Sequence, residues 1–178
     1  MKTLDDHTLA KKAQKGDRAA FEELLRRHYD TMFKFAMKWC GNKDNAEDIT
    51  QNACVKLARA IDSFNFKAEF TSWLYRLVIN TAIDWQRSNT RHEGDGEAEI
   101  KSVSTATAED DVYARQVMEE IQNLPEKEKT ALLLVMGEGL THKQAAQSME
   151  CKESTVSWYI HEARKKLEHK FGKDEHYG

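Results

Sequence analysis

Proline is nearly missing from this 178-residue chain: it occurs once, as Pro125, and glycine occurs only eight times. So few turn formers argue against a sheet-rich protein and for long helices. Cysteine is scarce too. Cys40, Cys54 and Cys151 are odd in number, far apart and without a C-x-x-C pair, which excludes a disulfide framework and fits buried thiols in a reducing compartment. The seven histidines do not join them at metal-ligand spacing, so neither a metal nor a cofactor is expected. No apolar run reaches membrane-spanning length and the N-terminus does not resemble a signal peptide, so the chain is expected in the cytoplasm without membrane insertion. A positive excess is lacking as well. Against 30 Asp and Glu stand 27 Lys and Arg, a net −3, too little for tight unaided binding to nucleic acid, whose strength comes from neutralised phosphates.

What is present is helical periodicity. Hydrophobic residues make up 40% and charged residues 32%, enough apolar material for one or two small helical cores. The charge is unevenly divided. Residues 1–91 carry 16 basic and 12 acidic groups, residues 92–112 carry 1 and 7, and residues 113–178 carry 10 and 11. Asp5 or Asp6 is placed to cap a short helix with Leu9, Ala10 and Ala13 on one face. After Gly16-Asp17, a long helix is expected in which Phe21, Leu24, Leu25, Tyr29, Met32, Phe33, Ala36, Met37 and Cys40 recur at three- and four-residue steps, ended by Gly41. Asp44 and Glu47 suggest a capping box for the next helix. A bundle of about four helices is therefore expected to close near Arg91. Residues 90–111, rich in Gly, Ser, Thr, Ala and acid, lose periodicity and read as a linker, either a solvated tether or an acidic strand imitating nucleic acid.

The most informative stretch runs from Ala46 to Arg91. At about 100° per residue, Ala46, Ile49, Ala53, Leu57 and Ala60 share one side of the first helix. Asp48, Gln51, Asn52, Val55 and Arg59 share the other. Val55 is odd on a polar face, and reads either as ordinary surface or as part of a contact. In the second helix Phe70, Trp73, Leu74, Leu77 and Trp85 form the expected buried side, with Asp84 at its edge. Ser72, Arg76, Asn80, Ile83 and Arg87 form a stripe elsewhere. Arg, Asn and Arg at one-turn spacing suit phosphates and a base edge, although a solvated face reads the same way. Between the helices, Asn65, Phe66 and Lys67 lie on a loop that can stack against an unpaired base, while Phe64 alternatively closes the core.

AEDITQNACVKLARAIDSF followed by FTSWLYRLVINTAIDWQR resembles domain 2 of the bacterial extracytoplasmic-function (group IV) sigma factors of the sigma-70 family. The matching positions include Glu47, Asp48, Gln51, Phe70, Trp73, Leu74, Arg76, Asn80, Asp84 and Arg87. Further on, Val112, Val117, Ile121 and Leu124 recur at helical spacing, and Pro125 opens a helix at its tolerated first position. Thr141 and Gln144 make a capping box with Ala145, Ala146 and Met149 inward. Ser154 is placed to cap a last helix with Val156, Ile160, Ala163 and Leu167 inward. Two helices joined by a tight turn, the second ending Arg164-Lys165-Lys166, read as a helix-turn-helix, and LPEKEKTALLLVMGEGLTHKQAAQSMECKESTVSWYIHEARKKLE resembles domain 4 of the same family.

The resemblance implies an all-α protein of two small helical domains: domain 2 over 1–91, a flexible acidic linker over 92–111, and domain 4 over 112–178. It implies a non-enzymatic partner of core RNA polymerase, touching its clamp and flap, that directs it to promoter DNA, with an anti-sigma factor left open as a further partner. Asp48, Gln51, Asn52, Val55 and Arg59 would face the clamp. Asn65, Phe66 and Lys67 would receive a flipped −10 base, with Arg76, Asn80 and Arg87 on the strand. Ser154, Thr155, Ser157, Trp158, His161, Arg164 and Lys165 would approach the −35 major groove. The chain departs from the family pattern at Asn52, usually an acid, at Glu150, usually Gly, and at Ser157-Trp158-Tyr159, usually Lys-Ser-Arg. Two rivals are a free-standing helix-turn-helix regulator with a ligand pocket in residues 1–90, and a helical enzyme using Glu47 and Asp48. Adjacent carboxylates point about 100° apart on a helix and lack a nearby catalytic partner set.

Overall fold

The computed structural model describes residues 3–92 and 108–172 of the chain. These residues form eight α-helices and no strand: α1 (Asp6–Gln14), α2 (Arg18–Cys40), α3 (Lys43–Ala60), α4 (Phe70–His92), α5 (Ala108–Gln122), α6 (Glu126–Leu132), α7 (His142–Met149) and α8 (Glu153–Phe171). A 3-10 turn (Ile61–Ser63) follows α3, and a π-helical turn (Leu133–Gly137) continues α6. The all-α expectation holds. The chain divides into two compact units, residues 1–36 with 44–97, and residues 37–43 with 98–178. Most of the segment read as a linker lies outside the described residues, but α5 already begins at Ala108.

In the first unit Asp5 caps α1 by accepting from the Thr8 amide at 2.7 Å. Gly16 at φ 91° then allows the reversal into α2. The buried stripe of α2 is turned from the expected one. Ala20, Leu24, His28, Met32, Phe35 and Ala36 are buried, whereas Tyr29 is 42% exposed and Phe21, Leu25 and Phe33 are only half-buried. His28 is admitted to the core because its Nε2 meets the Asp6 carboxylate at 2.9 Å and its ring packs on Phe70 at 5.3 Å. In α3, Ala46, Ile49, Ala53 and Leu57 are buried as expected. Thr50 joins them completely, its hydroxyl donating to the Ala46 carbonyl. Asp44 is not the cap of this helix, since α3 starts at Lys43 and carries Asp44 within its first turn.

The core side of α4 is also rotated. Phe70 and Leu74 are buried as expected, but they are continued by Tyr75, Val78, Ile79 and Ala82, while Trp73, Leu77 and Trp85 are half-buried. Ser72 belongs to the core and not to the polar stripe. Asp84, expected to pair at the core edge, does pair, with Lys56 at 3.0 Å, but at the surface, where it ties α4 to α3.

The second unit is built around α6. Seven consecutive residues, 128–134, are buried, so this helix is covered all round and has no amphipathic stripe to read. Two of the seven are charged. Glu128 accepts from Lys166 of α8 through both oxygens at 2.7 Å, and Lys129 donates to the carbonyl of Trp39 at 2.8 Å with its ammonium 3.7 Å from that indole centroid. Burial lowers the Lys129 pKa to about 8, against the raising pull of Cys40 and Glu126. Pro125 is the N-cap of α6, one position earlier than expected. The π-helical turn, closed by the Glu138 amide on the Leu133 carbonyl at 2.9 Å, places Met136 59% exposed. Among residues 112–122 of α5, Ile121 alone is buried and Val112 is 51% exposed. The Thr141–Gln144 capping box of α7 is present in both directions. Ser154 is not a cap: Lys152 occupies that position and Ser154 lies inside the first turn of α8.

Candidate polymerase and nucleic-acid interfaces

Three surfaces collect the residues singled out by sequence. On α3, Asp48, Gln51, Asn52, Val55 and Arg59 are all exposed, on the side away from Ala46, Ile49, Ala53 and Leu57. Val55 is 53% exposed in the middle of this polar face. An apolar patch ringed by an acid, two amides and a base suits a protein contact, where the apolar centre is dehydrated and the rim sets register.

The second surface joins the 61–69 loop to α4. Gln14 of α1 donates to the carbonyls of Ile61 and Phe64 at 2.9 and 2.8 Å, fixing the start of the loop. Phe64 is buried and closes the core, ringed by Phe70 at 5.5 Å and Trp73 at 5.3 Å. Asn65 is exposed and folds the next turn by accepting from the Lys67 amide at 3.1 Å. Phe66 stands at φ 64°, a conformation that a bulky L-residue rarely takes. Its ring is held by Phe64 at 4.6 Å, by His7 at 5.5 Å and by the Lys11 ammonium at 5.4 Å. Strain of this kind persists where surrounding contacts over-determine the residue, commonly at ligand sites. Arg76, Asn80 and Arg87 share the side of α4 opposite Val78 and Ala82, with Asn80 and Arg87 exposed and Arg76 half-exposed.

His7, Lys11 and Gln14 were invisible to sequence spacing. They lie about fifty residues before the loop and carry no local motif. Only the packing of α1 brings them there.

The third surface is α8. Ser154, Ser157, Trp158, His161, Arg164 and Lys165 are exposed and Thr155 is half-buried. Not all are equally available. The Ser157 hydroxyl donates to the Glu153 carbonyl at 3.1 Å and sits 2.8 Å from Nδ1 of His142 on α7. Arg164 leans on the Met136 sulfur at 3.3 Å. Glu150, ending α7 at φ 54°, ψ 47°, keeps the left-handed turn that usually takes glycine.

Elsewhere, Cys40, Cys54 and Cys151 are free thiols whose pKa values burial raises, so they remain protonated and weakly nucleophilic. An open groove of about 330 Å³ in the first unit is lined by Ala13, Phe21, Ala58 and Ile61 with Asp17 and Arg18 at its edge. It lacks the convergent polar groups of a small-molecule site. No group of three potential metal ligands and no helix long and apolar enough to cross a membrane occurs among the described residues.

Comparison with known proteins identifies the family. The family model for Sigma-70 region 2 matches residues 24–92 and that for Sigma-70, region 4 matches residues 114–167. The ECF RNA polymerase sigma-E factor of Haemophilus influenzae is 32% identical over 181 residues, spanning 94% of this chain and 95% of that protein. The RNA polymerase sigma-H factor of Pseudomonas aeruginosa is 30% identical, spanning 92% of both. Among solved structures, CnrH in complex with the cytosolic domain of CnrY superposes with a TM-score of 0.73 at 22% identity, covering 95% of this chain and 98% of that one. The sigma factor RpoE from Bartonella quintana, in complex with the anti-sigma factor NepR, gives 0.68 at 22% identity, covering 84% and 94%. At that identity the two structures speak for the fold, and the family models with the closer relatives speak for descent. The chain belongs to the ECF sigma factors of the sigma-70 family, the alternative sigma subunits that direct RNA polymerase to promoters in transcription initiation.

Proposed function

We propose that the three surfaces divide the work of initiation between them. The α3 face of Asp48, Gln51, Asn52, Val55 and Arg59 docks on the polymerase clamp. Asn65, Phe66 and Lys67 receive an extruded −10 base while Arg76, Asn80 and Arg87 hold the melted strand. The outward side of α8 enters the −35 major groove, with the second unit against the flap. The chain acts in the cytoplasm as a subunit and catalyses no reaction of its own, and an anti-sigma factor is retained as a further partner.

The observation that carries this reading is Phe66, a strained aromatic pinned between Phe64, His7 and Lys11 and flanked by exposed Asn65 and Lys67. Stacking on an aromatic ring is worth about 1–3 kcal/mol per base. Adding the protein to core polymerase and mapping transcription starts identifies the promoters. On one of them Phe66→Ala is expected to lose about 1–3 kcal/mol of open-complex stability, read as reduced permanganate reactivity of thymines near −10, with core binding unchanged. Equal melting by the variant removes Phe66 from the site. Nanomolar binding to one promoter by the free protein at physiological salt would favour a free-standing regulator instead.

A further inference from the structure

We propose that Trp158 reads thymine methyl groups in the −35 element, so that this chain selects its upstream promoter sequence by apolar contact where basic side chains usually read it. The inference rests on the placement of α8 in the major groove proposed above, and it names what that helix recognises there.

At about 100° per residue, Ser154, Trp158, His161 and Lys165 fall within about 60° of one another, directly opposite buried Val156, Ile160 and Ala163. This is the stripe that a groove-bound helix turns to the bases. It holds no arginine, asparagine or glutamine, and its one possible guanine reader, Lys165, lies about two turns past Trp158, away from the N-terminal end of the helix that meets the bases. On the flanks the one such residue is Arg164, about 120° around α8 from Trp158. Ser157 is bonded to His142 and to the Glu153 carbonyl, Arg164 rests on Met136, and Lys166 spends its ammonium on buried Glu128.

What the stripe does offer at its centre is an indole, 56% exposed. The ring of Tyr159 meets it edge-on at 5.5 Å, which limits its rotamers before any partner arrives. An indole has one N–H donor and a broad apolar face. In the major groove the one apolar group on a base edge is the thymine C5-methyl.

An exposed tryptophan also suits a protein contact. Charge favours DNA. Exposed Lys152 and Lys165 lie on either side of Trp158 along α8, and exposed Lys143 begins the neighbouring helix. Glu153 lies well round α8 from the stripe, and Glu162, one turn past Trp158, is 3.9 Å from the Lys165 ammonium, an exposed pair weak enough for a phosphate to displace. An apolar centre between cations matches a base edge between phosphate strands.

The test uses holoenzyme, reconstituted from core polymerase and the full chain. Promoter duplexes carry deoxyuridine in place of thymidine at single −35 positions, which removes the methyl group and leaves pairing intact. Wild type is expected to lose about three- to fivefold in affinity at one or two adjacent thymines, the value of one buried methyl. Trp158→Ala should bind the methylated and unmethylated duplexes alike, and Trp158→Phe should keep most of the difference. Selection from a randomised −35 hexamer should enrich thymine with wild type and lose that enrichment with Trp158→Ala.

The inference is overturned if wild type ignores the substitution at every −35 thymine, if Trp158→Ala remains as sensitive as wild type, or if selection enriches sequences without thymine. In those cases a surviving dependence on other −35 bases leaves α8 as the reading helix, whereas indifference to the whole −35 sequence takes that placement down too. Weakened core binding by Trp158→Ala with unchanged promoter affinity would make the indole a protein contact and also overturn it.

Discussion

Glu150 shows how one residue can be placed from sequence yet valued only from structure. Its place in the turn between α7 and α8 follows from the helix-turn-helix spacing, and the structure adds that the left-handed conformation is kept, at φ 54°. The amides of Glu150 and Cys151 both bond back to the Ala146 carbonyl, the latter at 3.1 Å, so the conformation is fixed by the end of α7. Glu150→Gly is therefore expected to raise unfolding free energy by about 1 kcal/mol, measured by denaturant unfolding of the full chain. Asn52 is the complementary case. It lies exposed beside Val55 on the face proposed for the clamp, where the family usually carries an acid. Charge-assisted hydrogen bonds are about twice as strong as neutral ones. Asn52→Glu should thus tighten core binding by about 0.5–2 kcal/mol, mostly at low salt, in competition with a housekeeping sigma factor. An unchanged or weaker variant of intact helix content would show that the amide meets a matching neutral contact.

Among the elements, α3 was legible because its apolar residues form one narrow stripe, so the register followed directly. The stripes of α2 and α4 are broad. Tyr29 and Trp73 are large enough to pull a sequence-based reading toward them, while His28 and Tyr75 enter the core through polar partners or ring contacts that periodicity does not count. Nothing in the sequence signalled the π-helical turn, and a helix buried all round, as α6 is, has no moment to detect. Burial there has a consequence for pH. The Lys129 pKa is lowered to about 8 by desolvation, whereas an unfolded lysine titrates near 10.4. Between those values the unfolded chain binds more protons, so stability rises with pH. Relative to Lys129→Met, the wild type is expected to gain about 1–3 kcal/mol between pH 7.5 and 10, seen in denaturant unfolding at matched ionic strength. The Cys40 thiol, raised by burial and pulled down by the Lys129 charge, opposes this at high pH, so both proteins are compared in a Cys40→Ser background. A flat difference would mean that the buried ammonium is fully compensated by Trp39 and its neighbours.

For the molecule as a whole, the two blocks of family resemblance are the stretches that the two sigma-70 family models match, and the even balance of charge argued that DNA is met inside a larger complex. The contacts of α1 with the 61–69 loop stayed hidden because residues fifty positions apart share no pattern until they pack. The balance of charge is also not interchangeable lysine by lysine. Lys165 and Lys166 are neighbours and both reach solvent, with 62% and 47% of their side chains exposed, so a reactive acyl donor finds either amine. Acylation at Lys165 removes a cation from the groove-facing stripe and should lower promoter affinity while leaving the melting temperature alone. Acylation at Lys166 instead strands the Glu128 carboxylate, whose side chain is only 8% exposed, without the charge that compensates its burial. The melting temperature should then fall, by several degrees for each kcal/mol lost. Acetyl-lysine placed separately at the two positions, with melting and promoter binding measured on each protein, would distinguish them. Two adjacent residues of the same type would then report through different observables, one as a change in occupancy and the other as a change in the amount of folded protein.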